Sequence, residues 1–234
     1  MSFVSLDSIE RALDRAEEAV ASGRGLTGTG FWRAVGELRR SRDAARRYAK
    51  RAADIDRMAF ENAVRLRVPV AIGNLVLTAG LVAGLAAAGL SRTLEAPWRE
   101  VMLIGGFGAV LVCSHSITHY LVGRLVGIGF THYFIGGPPP PRPGAKTDYA
   151  TYLLVSPHGR ALMHASGAIV TKLLPFGFIP VAFWAGTETW TVFLLLGIGF
   201  LQIVTDVLLS TKTSDWMKVS RDLRISNETW EGKT

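Results

Sequence analysis

The sequence contains one cysteine, Cys113, among its 234 residues. A single cysteine excludes an intramolecular disulfide, and because Cys113 lies in an apolar stretch we interpret it as a buried thiol. The first residues lack the basic segment and apolar run of a cleavable signal peptide, so we expect the first membrane helix to direct insertion. No acidic residue occurs between Glu100 and Asp148, so the apolar stretch at 101–123 has no carboxylate.

Hydrophobic residues make up 49% of the chain, but they are unevenly distributed. Residues 1–67 are charged and basic, whereas residues 68–210 contain four apolar stretches that a small soluble domain would struggle to bury. These stretches lie at 68–90, 101–123, 161–185 and 190–210. Each is long enough, at about 1.5 Å per residue, to cross a hydrocarbon core of about 30 Å. The predicted fold class is all-α, a polytopic membrane helical bundle of about four transmembrane helices, with residues 211–234 as a C-terminal tail.

The basic N-terminal region shows two helical patterns. Residues 5–21 predict a short amphipathic helix with Asp7 as its cap and Glu10 as the N3 partner, and a glycine-rich link at 23–30 ends it. Residues 31–67 carry eleven Lys or Arg residues around a second pattern. Its apolar side consists of Phe31, Val35, Leu38, Ala45, Ala52 and Ala59. We interpret this side as a weak coiled-coil seam that packs on the protein's own cytosolic face, with anionic lipid as the alternative partner.

The distribution of basic residues predicts the topology. The formal net charge is +7, and its Lys and Arg residues cluster beside the apolar spans. This pattern indicates a lipid bilayer as the partner and argues against nucleic acid. Because the N-terminal region, the 124–160 loop and the tail are basic, we expect an integral protein of the plasma membrane with both termini cytosolic. Within that loop, residues 136–144 contain four consecutive prolines, which predict a stiff turn that acts as a spacer, or alternatively binds a proline-recognising partner.

Several ionisable residues converge on one level of the predicted bundle. His115 and His119 are four residues apart, so both imidazoles project from one face of a helix and can reach one metal ion. Counted along their spans, Asp206 and His164 lie at a similar depth. Two histidines and one carboxylate suit zinc with an open fourth position, although a hydrogen-bonded histidine pair is the alternative. Lys172 is a rival partner for Asp206, but it begins deeper in its span and would need to reach across.

These residues resemble the site-2 protease family of intramembrane zinc metalloproteases. The resemblance consists of the His115-x-x-x-His119 motif, the Ala-Ser-Gly-Ala segment at 165–168, and a carboxylate near the end of the last span. It covers about 100 residues of the transmembrane domain and implies zinc held by both histidines and one aspartate. That third ligand is Asp206 or Asp215: depth favours Asp206, and the position before a final helix favours Asp215, which could instead be a helix cap.

Ser116 departs from the family pattern. The family has a glutamate at this position of its motif, where it acts as the general base, and a serine hydroxyl near pH 7 cannot do this. If Asp206 binds the metal, no other carboxylate within the spans remains for the role. His164 is then a candidate base, and a hydrogen-bonding residue behind the metal ligands is its alternative role.

The sequence thus predicts a site-2-protease-like integral membrane protein that retains a zinc site and is impaired or inactive as a peptidase. Membrane-protein helices are the class of substrate or partner that the resemblance implies. One alternative is an active membrane-embedded zinc metalloenzyme with a different general base, acting on a peptide or another membrane substrate. Another is a membrane scaffold or binding protein whose polar cluster only fixes helix packing.

Overall fold

The computed structural model describes residues 6–136, 142–208, 214–225 and 230–231. The helices are α1 (Leu6–Ala21), α2 (Phe31–Leu38), α3 (Arg42–Ala63), α4 (Val70–Leu90), α5 (Trp98–Leu125), α6 (Tyr149–Tyr152), α7 (Pro157–Ala185), α8 (Thr189–Leu208) and α9 (Asp215–Leu223). The strands are β1 (Leu66–Pro69), β2 (Phe130–Gly136) and β3 (Arg142–Thr147). The chain divides into two compact units. The first unit is drawn from residues 1–70, 123–160 and 222–234, and the second from 71–122 and 161–221.

The second unit contains most of the apolar helices. Four helical segments are long and apolar enough to cross a membrane: Val70–Thr93, Trp98–Leu125, Pro157–Ala185 and Thr189–Asp206. They coincide with the four predicted spans, so the prediction of an all-α membrane helical bundle is confirmed, although the predicted end of the last span at residue 210 lies outside the described residues. Large apolar side chains remain exposed along these helices, such as Leu75 and Phe193, as expected for surfaces that contact lipid.

The core of the second unit depends on aromatic packing and on close helix contact. Phe107 and Phe178 pack edge to face with their ring centroids 5.2 Å apart, among buried Leu103 and Leu195. Helices α4 and α5 touch backbone to backbone, because a Cβ atom added to Gly106 would lie 2.6 Å from the carbonyl oxygen of Gly84. Small residues at such a crossing are typical of membrane helices, where packing rather than the hydrophobic effect holds neighbours together.

Helices α1, α2 and α3 belong to the first unit. The predicted helix at 5–21 is confirmed as α1, but the prediction of Asp7 as its cap is wrong, because the helix already begins at Leu6 and Asp7 lies within its first turn. The pattern at 31–67 forms two helices instead of one, because the Ser41 side chain accepts a hydrogen bond from the backbone N–H of Ala44 (3.3 Å) and starts α3. The predicted apolar side is buried except at Ala59, which is partly exposed. This side therefore packs within the protein, as the preferred interpretation predicted, and not on lipid.

The strands form an antiparallel sheet in the order β1-β2-β3, which the sequence analysis missed. One side of the sheet packs on α3: Phe134 lies 5.1 Å from Phe60 between ring centroids, and Gly136 lies against Val64. The predicted proline-rich turn overlaps these strands, since Gly136 ends β2 and residues 142–144 belong to β3. Its central residues, 137–141, lie outside the described part of the chain.

A buried ionic cluster closes the first unit. Arg39 and Arg160 both contact the same carboxylate oxygen of Asp222, with the Arg160 Nε atom at 3.2 Å. Arg160 also donates to the backbone oxygen of Arg39 (2.7 Å) and lies over the rings of Tyr152 and Trp230. Asp222 and Arg160 are fully buried. The segment predicted as a cytosolic tail therefore supplies part of the core of the first unit.

Candidate metal centre

Helix α5 supplies two imidazoles to the candidate site. His115 and His119 lie one turn apart on the same face, and their ring centroids are 4.6 Å apart in an edge-to-face arrangement. Both side chains are partly buried, and the backbone of Gly167 lies within hydrogen-bonding reach of the His115 ring. The predicted pairing of these two histidines on one helical face is thus present in the structure.

Helix α9 supplies a carboxylate. The Oδ2 atom of Asp215 lies 3.2 Å from Nε2 of His119 and 3.6 Å from Nε2 of His115. The three residues offer one ligand atom each, all within 4.8 Å of one another. Asp215 is the first residue of α9, and the capping hydrogen bond of that helix comes instead from the N–H of Met217 to the hydroxyl of Ser214 (3.3 Å). The carboxylate of Asp215 is therefore directed to the histidines rather than used as a helix cap.

The hydrogen bond on the far side of the His119 ring fixes its proton. Nδ1 lies 2.7 Å from the carbonyl oxygen of Met163, and since a carbonyl can only accept, Nδ1 carries a hydrogen. In a neutral ring Nε2 then presents a lone pair to the carboxylate oxygen of Asp215. Two acceptors at 3.2 Å repel each other unless a proton or a metal cation lies between them. The site is thus built for a cation, either a bound metal or the proton of an imidazolium.

The carboxylate itself is oriented from its other side. The Nζ atom of Lys218, one turn further along α9, lies 3.0 Å from Oδ1 of Asp215 and leaves Oδ2 to the histidines. Burial alone would raise the pKa of Asp215, but the hydrogen bond with His119 and the charge of Lys218 hold that pKa well below its usual range. Asp215 is therefore an anion at neutral pH, as a metal ligand must be.

The separations between the Asp215 oxygen and the two imidazole nitrogens fit a small divalent ion. Zinc binds nitrogen and oxygen at about 2.0 to 2.1 Å in tetrahedral sites, which separates neighbouring ligand atoms by about 3.3 Å. The two measured separations, 3.2 and 3.6 Å, lie close to this value. Two neutral imidazoles and one carboxylate also form a donor set that zinc accepts with a fourth position left open. The residues present fit the metal that the resemblance implies.

Gly167 allows α7 to approach the site. A Cβ atom built on Gly167 would overlap the His119 ring at Nε2 and Cδ2 and would lie 2.9 Å from the backbone oxygen of His115. Only a residue without a side chain fits here, so the Ala-Ser-Gly-Ala segment serves as the contact surface for the histidine helix. This segment is part of the resemblance, but the sequence alone does not reveal its contact with the histidine helix.

Asp206 lies in a different cluster. Its carboxylate pairs with Lys172 and accepts a hydrogen bond from the indole N–H of Trp216 at 2.9 Å. Depth along the helix favoured Asp206 over Asp215 as the third ligand, but this structure brings Asp215 and not Asp206 beside the two histidines. Depth along a helix gives the height of a residue and not the direction of its side chain, and the long stem of Lys172 spans the difference in height. Asp215 completes the group of three instead.

The remaining predicted residues, His164 and Ser116, lie on α7 and α5. His164, on α7, is buried and interacts electrostatically with Lys218, Asp215 and His119. Ser116, on α5, follows His115 directly and is partly buried. Lys218 was missed by sequence reasoning, although its position three residues after Asp215 on a helix is a recognisable signal.

Comparison of the chain with protein-family models, curated proteins and solved structures found no match in any of the three.

Proposed function

We propose that this integral membrane protein binds one zinc ion through His115, His119 and Asp215, within a core that resembles site-2 proteases. The observation that supports the proposal best is the arrangement around His119. Its Nδ1 donates a hydrogen bond to a backbone carbonyl, so Nε2 of the neutral ring faces the Asp215 carboxylate with a lone pair. A cation between these two acceptors would remove their repulsion. Metal-binding histidines characteristically have their second nitrogen fixed in this way.

The protein's own groups shape the site before any ion enters. The carbonyl of Met163 sets the tautomer and the ring orientation of His119, and Lys218 sets the rotation of the Asp215 carboxylate. Bound zinc would supply a Lewis acid that polarises an oxygen at its open position. Asp215 enters the site as an anion, so it is ready to bind a cation at neutral pH without first losing a proton.

We further propose that the protein does not hydrolyse peptide bonds by the family's usual route. Peptide hydrolysis needs a group that takes a proton from the attacking water and returns one to the departing amine. Ser116 stands where the family has its glutamate, and its hydroxyl is not basic enough for this work. Asp206 contacts Lys172 and the Trp216 indole instead of the histidines. The described residues thus place no free carboxylate at the motif position.

Zinc content tests the first proposal. Elemental analysis of detergent-purified protein should find near one equivalent of zinc, and His115→Ala or His119→Ala should remove most of it because a first ligand is lost. His158→Ala is the matched control, since it removes an imidazole from an exposed position that is not one of the three ligands. Stoichiometric zinc in the double histidine variant would disprove this site. If the wild type stays metal-free after zinc is supplied, the cation in the site is the proton of an imidazolium. The polar cluster then only fixes helix packing.

Turnover tests the second proposal. General acid–base assistance is worth about 10² to 10⁴-fold, so the wild type should cleave membrane-helix substrates slowly or not at all. Ser116→Glu places a carboxylate at the motif position without altering either histidine, and chelator-sensitive cleavage by this variant alone would support a preserved but inactive site. Chelator-sensitive cleavage by the wild type at ordinary enzyme rates would refute the proposal and favour an active enzyme with another base.

A further inference from the structure

The three-stranded sheet has one side that faces away from α3 and carries exposed apolar residues. Neighbouring residues in a strand point to opposite sides, and the register of the sheet aligns two rows of three residues on the side away from α3. These residues are Leu66, Ile135, Pro143, Val68, Tyr133 and Ala145. None of the six carries a charge. We call this set the open face.

The other side of the sheet already has a partner. Phe134 packs on Phe60 of α3, and Gly136 lies against Val64, the residue that follows this helix. The sheet is therefore anchored on that side. On the open face Leu66 is 60% exposed, Ile135 49% and Val68 38%. A sheet with one packed side normally turns polar residues outward. Here the outward side is apolar, which indicates a second apolar environment.

Two strands of the sheet are connected closely along the chain to membrane spans. Strand β1 ends at Pro69 and the first span begins at the next residue, Val70. Strand β2 begins five residues after the second span ends at Leu125. These strand ends therefore lie within a few residues of the bilayer along the chain.

Residues next to the open face suit a lipid interface. Arg65, the exposed residue directly before β1, carries a guanidinium group on a long stem that can reach lipid phosphates, and Tyr133 is an aromatic residue of the kind enriched at membrane interfaces. The face is also small. Three strands about 4.8 Å apart and two rows about 7 Å apart cover roughly 200 Å², far below the roughly 800 Å² per partner of a stable protein interface.

We propose that the open face lies in the bilayer interface, where its side chains contact the upper part of the lipid acyl chains. The sheet then attaches the first unit to the membrane surface independently of any metal. Elements that lie in the interface bury their apolar face by about 5 to 10 Å, a depth that side chains projecting from one side of a sheet can reach. This inference does not depend on the proposed function.

Depth-dependent fluorescence quenching tests the proposal on the full chain in lipid nanodiscs. In a Cys113→Ala background, single cysteines replace Leu66 or Ile135 and are labelled with an environment-sensitive fluorophore. Leu75, 70% exposed on the first span, provides the lipid-exposed reference position, and Asp54, exposed on α3, the water-exposed one. Lipids carrying a spin label high on the acyl chain should quench both sheet positions several-fold more than Asp54 and at least half as much as Leu75.

Two outcomes would overturn the proposal. Quenching at both sheet positions no stronger than at Asp54 would place the open face in water. A blue-shifted emission without lipid quenching would show that a protein surface, such as a second copy of this chain, covers the face. Because both substituted residues are already exposed, the variants should fold, and each is accepted only if it elutes as the wild type does in detergent. A cysteine at Pro143, on the third strand, serves as an independent replacement position.

Discussion

Replacing Gly167 with alanine separates the geometry of the metal centre from the stability of the helix bundle. The added methyl group would overlap the His119 ring and would lie 2.9 Å from the backbone oxygen of His115. The backbone oxygen cannot rotate away, whereas the imidazole can move only by giving up its bond to Met163 or its position near Asp215. We therefore expect zinc affinity to fall about 10 to 100-fold, as when a residue that orients a metal ligand is lost.

The expected change in folding stability is smaller and is composed of opposing terms. Overpacking costs about 1 to 3 kcal/mol, while alanine in place of glycine within a helix gains about 0.8 to 1.0 kcal/mol. The net loss for Gly167→Ala is thus about 0 to 2 kcal/mol. A 10 to 100-fold loss of zinc affinity corresponds to about 1.4 to 2.7 kcal/mol, so the two effects are separable when both are measured.

Two further glycines supply matched controls. Gly106→Ala would place its Cβ 2.6 Å from the oxygen of Gly84 and 2.8 Å from the nitrogen of Ala88, so it should lower stability but retain zinc. Gly177→Ala, on the same helix as Gly167, has nothing within 4 Å of its new Cβ and should change neither property by much. Zinc affinity is measured by competition with a chromophoric chelator, and stability by thermal unfolding with excess chelator present. Wild-type zinc affinity in Gly167→Ala would refute the assignment of the contact.

The two aspartates should behave differently: Asp215→Asn should lower zinc affinity by at least about 100-fold, whereas Asp206→Asn should keep near one equivalent in the same elemental analysis. The reverse result would identify Asp206, which depth along the helix favours, as the third ligand. Asp222→Ala leaves two buried guanidinium groups without their shared counter-charge and should destabilise the protein by about 3 to 5 kcal/mol in chemical denaturation. A change below 1 kcal/mol would contradict that role. Cysteines near Gly25 and Lys233, in a background without the native cysteine, should react with impermeant reagents only from the cytosolic side; labelling from outside would overturn the predicted topology.

The membrane spans could be predicted from sequence because the bilayer imposes a length and a composition on each one. An apolar stretch of about 20 residues has few alternatives, and all four predicted stretches became helices of spanning length. The pairing of His115 and His119 was predictable for a similar reason, since a spacing of four residues fixes one helical face whatever the surroundings. Both inferences depend only on local geometry.

The third ligand and the buried ionic cluster depend on contacts between distant segments. Asp215 is 96 residues from His119 along the chain, and Asp222 is 183 residues from Arg39. No periodicity relates such positions. Depth along a helix ranked Asp206 first because it treats the spans as parallel rods and ignores where each side chain points. Lys172 was recognised as a rival partner of Asp206, but only the packed structure shows the pair.

The sheet was missed because its strands are short and lie beside stronger signals. Strand β1 has four residues between a basic helix and a membrane span, and β3 contains a proline and a glycine that disfavour a strand. Residues 130–136 did carry a signal, since Thr, Tyr, Phe and Ile in close succession favour strands. The proline run that follows drew attention to a turn instead. As an edge strand, β3 can accept Pro143 because one side of its backbone needs no ladder partner.

The order in which the chain is synthesised constrains how the first unit folds. Its segments come from residues 1–70, 123–160 and 222–234, and all four membrane spans are made between the first segment and the last. Asp222, the counter-charge for Arg39 and Arg160, is among the last described residues to leave the ribosome. Until Asp222 is present, burial of the two guanidinium groups would leave their charges without a counter-charge. The first unit can therefore close only after the spans have been synthesised, so a chain shortened before Asp222 would keep every candidate zinc ligand and still lack a completed N-terminal unit.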